Sequence, residues 1–353
     1  MQGIAHGGPP YRGADSRSRR YLAGVLSVLL PARNSAATLP VALEGLFAQR
    51  GAPAFEIVCV DDASTDDTPR VLVEAAKADS RLVVVRGEGR GLVAALQLGL
   101  GRCRGDIVAR MDADDLVHPD RLRLQAEALA RDPSVAAVGS LVRCFPRPLS
   151  AGLTRLEEWL DSVVSKEECR TARFIEAPLV HPSMTFRRSA VEAVGGFRDE
   201  TWAEDWDLQL RLLQAGYGLC KVPEVLLWWR DSPARLTRTG AAYAPGRMIE
   251  LRAHHLARGP LRGRLFDLWG AGPTGKRLAR ALETRGLRPR RFIDVAPDKR
   301  VARGLDVLPP DALGPPGEAL VVCAVGAAGA REEIRADLAG RGYSEGEDYL
   351  FAA

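Results

Sequence analysis

Short apolar runs alternate with amphipathic stretches along the first 140 residues. Val25–Leu30, Phe55–Val60, Leu82–Val85, Asp106–Arg110 and Val135–Ser140 are rich in branched apolar side chains and too short for helices. That pattern predicts strands buried on both faces. Between them, Thr38–Gln49 places Leu39, Ala42, Leu43, Leu46 and Phe47 on one helical face. Thr68-Pro69 opens a second helix with a cap residue and a proline at the first position. Leu92–Leu100 and Pro119–Ala130 continue the alternation. Repeated strand–helix–strand units predict an α/β fold, a mostly parallel sheet with helices on both faces.

The rhythm lapses over 145–180, an amphipathic helical stretch with Trp159 and Leu160 among charged residues. Pro178–Phe186, Gly195-Gly196-Phe197, a helix from about Asp205 to Ala215 ended by Gly216, and apolar Val222–Trp229 follow. Residues 231–262 are rich in Arg, Gly and Pro, and the linker is placed at 241–263. A second alternation then begins: Leu265–Trp269, a glycine turn, helix Lys276–Arg285, strand Arg291–Ile293 and strand Leu320–Val325. The predicted division is a disordered basic arm over 1–23, a first α/β domain over 24–240, and a small Rossmann-like α/β domain over 264–353.

A chain of 353 residues exceeds one ordinary core, which agrees with two domains. Hydrophobic residues at 46% and charged residues at 27% mark a globular protein. The formal charge is +4, carried almost wholly by arginine. No basic stripe with interleaved aromatics appears, so no nucleic acid polymer is expected as partner. Arg12, Arg17, Arg19 and Arg20 make the N-terminal arm basic; a solvated tail is expected, with anionic lipid as the other option. The six cysteines form no C-x-x-C pair, and no apolar run approaches a membrane span. A reduced, cytoplasmic setting is expected, with any membrane association peripheral.

Three polar clusters fall at the carboxyl ends of predicted strands: Pro31-Ala32-Arg33-Asn34, Asp61-Asp62-Ala63-Ser64-Thr65-Asp66 and Asp112-Ala113-Asp114-Asp115. In an open α/β sheet such ends line one crevice. Asp112 and Asp114, two residues apart on an extended chain, project to one side. Adjacent carboxylates repel unless a divalent cation sits between them and a phosphate-bearing ligand. Asp61 or Asp62 can accept a hydrogen bond from a base N–H or a ribose hydroxyl. Taken singly, each cluster is also compatible with a helix cap and turn.

Together, Val28–Asn34, Val60–Asp66, Gly105–Asp115 and Pro119-Asp120-Arg121-Leu122 resemble the family 2 inverting glycosyltransferases of GT-A fold. His181-Pro182-Ser183, Gly195-Gly196-Phe197 and Glu204-Asp205-Trp206-Asp207-Leu208 resemble the acceptor-side elements of that family, so the likeness spans roughly 25–240. The resemblance implies that Pro31, Arg33 and Asn34 form a nucleotide-contacting loop and that Asp61 or Asp62 holds the uracil or ribose. Asp112 and Asp114 match the D-x-D that binds Mg²⁺ or Mn²⁺ with the sugar-nucleotide diphosphate, with Asp115 in support and Arg90 either near the diphosphate or a surface-loop arginine. Asp205 matches the base. Its position at a helix N-terminus is expected to favour the ionised form. The implied reaction moves a sugar from a nucleotide sugar, a UDP-sugar foremost, to a glycan or lipid-linked acceptor hydroxyl with inversion, in bacterial surface glycan synthesis. Glu204, His181, Trp202, Trp206 and Arg230 are acceptor or lid candidates. For both tryptophans the other reading is core packing, for His181 a structural hydrogen bond. Asp231 stands after Arg230 where many relatives have His.

Gly270, Gly272 and Gly275 form a G-x-G-x-x-G between a predicted strand and helix, with Asp294 about 20 residues further on. Such a turn lets a helix N-terminus approach a pyrophosphate, although Pro273 removes one N–H donor. The segment has room for half a dinucleotide fold and loosely resembles Rossmann-like modules appended to bacterial sugar-pathway proteins. Ligand binding and a structural or assembly role both remain open for it. For the whole chain, the alternatives are a nucleotide-dependent oxidoreductase or sensor and a catalytically inactive scaffold.

Overall fold

The computed structural model describes residues 24–233, 235–296, 300–327 and 329–353. The basic arm expected over 1–23 lies outside the described residues. The first sheet contains β1 (Leu26–Ala32), β2 (Phe55–Asp61), β3 (Leu82–Arg86), β4 (Ile107–Arg110), β5 (Leu116–Val117), β6 (Val135–Phe145), β7 (Thr185–Arg187) and β8 (Gly218–Arg230). Their order is β3-β2-β1-β4-β7-β6-β8-β5. β3, β2, β1 and β4 run parallel; β7 enters antiparallel between β4 and β6. All seven residues of β1 are buried, as its unbroken apolar run predicts for a central strand covered by helices on both faces. Gly99 permits the close approach of helix Leu92–Leu100, since a Cβ there would lie 2.3 Å from Leu29 Cδ1.

Register places the chemistry. Ala32 pairs with Asp61 and Leu29 with Arg110, so only Met111 separates the end of the β4 pairing from Asp112, which emerges at the carboxyl end of β1. Buried Arg121 fixes that exit: its Nη2 donates to the Arg110 carbonyl at 2.7 Å and its Nε to Gln125 Oε1 at 3.0 Å. Over 145–180 the chain forms helices Ala151–Ser162 and Lys166–Ala172. The first is capped by Ser150, the second by a reciprocal capping box of Ser165 and Glu168.

The second sheet contains β9 (Phe266–Trp269), β10 (Phe292–Ile293), β11 (Val301–Ala302), β12 (Leu305–Leu308), β13 (Leu320–Cys323) and β14 (Tyr349–Phe351). Their order is β11-β12-β10-β9-β13-β14, parallel except for the β11–β12 pair. The segment expected as a linker, 241–263, instead holds helix Pro245–Arg258. Arginines dilute its apolar periodicity, yet Leu251, Ala253, His255 and Leu256 are buried. Leu251, Ala253 and Leu256 share one apolar cluster with Trp202, Trp206 and Leu210 on one side and Leu268, Leu278 and Leu282 on the other. The polar His255 is tolerated in that core because Asp207 faces it at 2.9 Å.

Candidate active site

A cavity of about 930 Å³ opens at the carboxyl ends of β1, β2 and β4. Pro31, Arg33, Asn34 and Asp62 form one wall. Asn34 adopts a left-handed backbone (φ 50°), and its Oδ1 accepts the Thr65 N–H at 2.8 Å, tying the two loops together. Asp62 accepts the Gly89 and Gly91 N–H groups at 2.9 and 2.8 Å, with the Arg33 guanidinium 3.5 Å away. Asp61 is turned away from the wall and accepts the Ser64 N–H at 3.1 Å, bracing the turn. Arg90, expected near the diphosphate, also lies off the wall. Its exposed guanidinium pairs with the equally exposed Glu88 at 3.1 Å, where solvation offsets little side-chain order.

The acidic cluster lies on the same cavity. Asp112, Asp114 and Asp115 each place a carboxylate oxygen within 4.8 Å of the others. Burial and the charge of Asp112 raise Asp114 above the ordinary carboxylate range. Asp115 is raised well above it by burial and by both neighbouring charges. One cation and one backbone donor compensate only in part. Arg110 reaches Asp112 at 2.6 Å, and the Arg230 N–H donates to Asp115 Oδ1 at 2.7 Å. Asp115 Oδ2 remains buried without a partner. An all-oxygen set with excess negative charge and an orphaned buried oxygen fits a hard divalent cation. Asp115 thereby joins Asp112 and Asp114 as a third candidate ligand.

Opposite stands helix Glu204–Gln214, whose first turn carries Glu204, Asp205 and Asp207. Asp205 lies on the cavity wall and accepts the Trp206 N–H at 2.8 Å. Burial and the adjacent Glu204 charge push its pKa up to about 8. The expectation that the helix terminus keeps it ionised is thus overturned, because desolvation and a like charge outweigh the dipole. For Glu204 the balance differs. Burial works against the anion, but His181 Nδ1 at 3.3 Å and the Tyr243 hydroxyl at 2.7 Å hold it below the ordinary range. Burial and the charge of Arg110 lower His181, so it is neutral; its Nε2 is buried and unpartnered.

Trp206 lines the cavity with its Nε1–H donated to the Arg173 carbonyl at 2.8 Å. Trp202 lies off the cavity wall, in the apolar cluster beneath the helix. Arg230 donates from Nε to the Asp114 carbonyl at 2.6 Å and covers the Phe145 ring at 4.4 Å. Arg235 lies over Trp229 at 3.4 Å and, with Arg230, flanks the acidic cluster, while Arg238 lines the same cavity bound to Asp231 at 2.6 Å. Sequence reasoning missed Arg110, Glu176, Arg235, Arg238 and Tyr243 on this cavity. Arg110 reads as a strand end, and Tyr243 sits in a stretch with no motif.

Residues 27–195 match the model of the glycosyl transferase family 2. That stretch is similar to the family 2 glycosyltransferases. It is 30% identical over 175 residues to the amylovoran biosynthesis glycosyltransferase AmsE of Erwinia amylovora, a match over 49% of this chain and 64% of AmsE. It is 25% identical over 209 residues to the UDP-Gal:alpha-D-GlcNAc-diphosphoundecaprenol beta-1,3-galactosyltransferase of Escherichia coli, over 59% of this chain and 74% of that protein. Among solved structures, the mannosyltransferase PcManGT of Pyrobaculum calidifontis, in complex with GDP-Man and Mn²⁺, superposes with a TM-score of 0.50 at 25% identity. That match covers 69% of each chain. The eight-stranded sheet is therefore a GT-A sheet, and the acidic cluster is compatible with a D-x-D motif.

Outside the family 2 match, a second cavity of about 540 Å³ lies at the carboxyl ends of β9 and β13. There β10 and β13 leave β9 in opposite directions, the switch point of the sheet. Gly270, Gly272 and Asp294 are on its wall. Gly275 permits the tight turn, because a Cβ there would lie 1.8 Å from the Gly270 carbonyl oxygen. Asp294 accepts the Ala271 N–H at 2.7 Å and the Ala296 N–H at 2.9 Å, which braces the glycine turn.

Proposed function

We propose that the chain transfers a sugar from a nucleotide-sugar donor to an acceptor hydroxyl with inversion of the anomeric centre, in bacterial surface polysaccharide synthesis. The observation that carries this reading is that a single cavity gathers the Asn34 and Asp62 loops, the Asp112–Asp115 cluster and Asp205. The names of the relatives support the reaction class: AmsE belongs to amylovoran biosynthesis, and the E. coli protein is a galactosyltransferase acting on a diphosphoundecaprenol-linked sugar.

In this mechanism Asn34 and Asp62 hold the nucleoside, and Arg230 and Arg235 stand beside the diphosphate. Asp112, Asp114 and Asp115 would hold Mg²⁺ or Mn²⁺, whose chemistry when bound is to offset charge on the departing diphosphate. Asp205 accepts the proton of the acceptor hydroxyl as that oxygen bonds to the anomeric carbon and the bond to the diphosphate oxygen breaks. His181 offers Nε2 to a sugar hydroxyl. Among the described residues no helix is long and apolar enough to cross a membrane, so a lipid-linked acceptor would meet the protein at the bilayer surface.

A panel of UDP-, GDP- and dTDP-sugars with Mn²⁺ or Mg²⁺ tests the proposal, scored by released nucleoside diphosphate and by thermal shift. Metal-dependent stabilisation by at least one donor is expected. No stabilisation by any of them would refute it.

A further inference from the structure

The segment that follows the transferase domain reaches the helix carrying Asp205 at two points. Tyr243 donates its hydroxyl to Glu204 Oε2 at 2.7 Å, and His255 Nε2 stands 2.9 Å from Asp207 Oδ1. Glu204 and Asp207 both lie in the first turn of that helix, and both are buried. Tyr243 and His255 both lie beyond the 27–195 family match. The second oxygen of Glu204 faces His181 Nδ1 at 3.3 Å, so each carboxylate oxygen has its own donor. The opposite ring nitrogen, His181 Nε2, is the buried, unpartnered atom of a residue on the cavity wall.

We propose that Tyr243 is a positioning residue for sugar transfer, pinning Glu204 against His181 and so fixing both Asp205 and His181 Nε2 for the substrate. The proposal rests on the reading of Asp205 as the base. Its physical basis is the cost of an unsatisfied buried acceptor: a carboxylate that loses one of two donors either takes up a proton or turns towards water. Either response loosens the helix turn on which Asp205 sits.

The pH dependence follows from the groups that face the pair. Arg110 enters from β4, Glu176 and His181 from the connection between helix Lys166–Ala172 and β7, and Tyr243 from the segment before helix Pro245–Arg258. Burial, and after it the Glu204 charge, hold Asp205 protonated. Without the Tyr243 hydroxyl, Glu204 protonates more readily, and a neutral Glu204 releases Asp205 to ionise at lower pH.

Tyr243→Phe keeps the ring and removes only the hydroxyl. It is combined with Glu204→Gln in a double-mutant cycle on the full chain. The cycle is read both as nucleoside diphosphate released from UDP-galactose or GDP-mannose with Mn²⁺, and as Tm without donor. Tyr243→Phe is expected to lower kcat roughly tenfold with little change in donor KM, as for loss of one charge-assisted hydrogen bond. Its rising pH limb should move down, and it should add nothing to Glu204→Gln. Additive losses with an unmoved limb overturn the proposal. If the wild type releases no nucleoside diphosphate, the Tm cycle decides: non-additivity supports the Tyr243–Glu204 pin, and additivity overturns it. That silence would count against the transfer reading alone.

Discussion

Asp205→Asn should make the protein more stable while abolishing transfer, and the gain should grow with pH. In the folded protein burial and Glu204 hold the Asp205 pKa at about 8, against an unfolded value near 3.8. Below about pH 4 the carboxyl is protonated in both states and contributes nothing. Between about pH 4 and pH 8 only the unfolded chain ionises, so stability falls by about 1.4 kcal/mol per pH unit. At pH 7 that limit is about 4 kcal/mol. Relaxation and water entry reduce it, so roughly 2–4 kcal/mol is the expected gain for an uncharged isostere. Thermal unfolding in EDTA at pH 5, 6, 7 and 8 measures it, with the gap between variant and wild type widening across the series. A variant that melts at or below the wild type at pH 8, with a pH-independent gap, refutes the reasoning. The same ionisation should shape activity: kcat/KM rises with pH, is half-maximal near pH 8 and levels off above it.

Two further outcomes follow from the packing and the acidic cluster. Asp115→Asn removes one of three crowded carboxylates, so it should raise Tm without metal and shrink the Tm increase produced by Mn²⁺; an unchanged Mn²⁺ response would exclude Asp115 as a ligand. Leu251→Ala, in the helix that joins the two sheets, should cost about 2–5 kcal/mol in urea unfolding; a loss near zero would mean that this helix does not share the core.

The fold was largely legible because parallel strands buried on both faces leave continuous apolar runs, as β1 and β2 do. Chemistry at their carboxyl ends was legible for the same reason. Asp112, Asp114, Asp62 and Asn34 lie on one cavity because strand register, readable as alternation, puts them there. What stayed hidden depends on tertiary pairing. Helix Pro245–Arg258 reads as linker because its arginines mask the apolar face, and its buried His255 is explained only by Asp207. Tyr243 reaches Glu204 across 39 positions of chain, a distance no local pattern encodes. The ionisation of Asp205 was misjudged because the helix dipole is visible in sequence while burial beside Glu204 is not.

The central claim is that one cavity divides its work, with the acidic cluster holding the donor and Asp205 activating the acceptor. Calorimetric titration of the wild type, Asp114→Ala and Asp205→Asn with UDP-sugar or GDP-sugar plus Mn²⁺, followed by a transfer assay on each, tests it most directly. Asp205→Asn should bind donor like the wild type and transfer nothing, while Asp114→Ala should lose metal-dependent binding. Metal-dependent donor binding retained in Asp114→Ala, or transfer at the wild-type rate by Asp205→Asn, would contradict it.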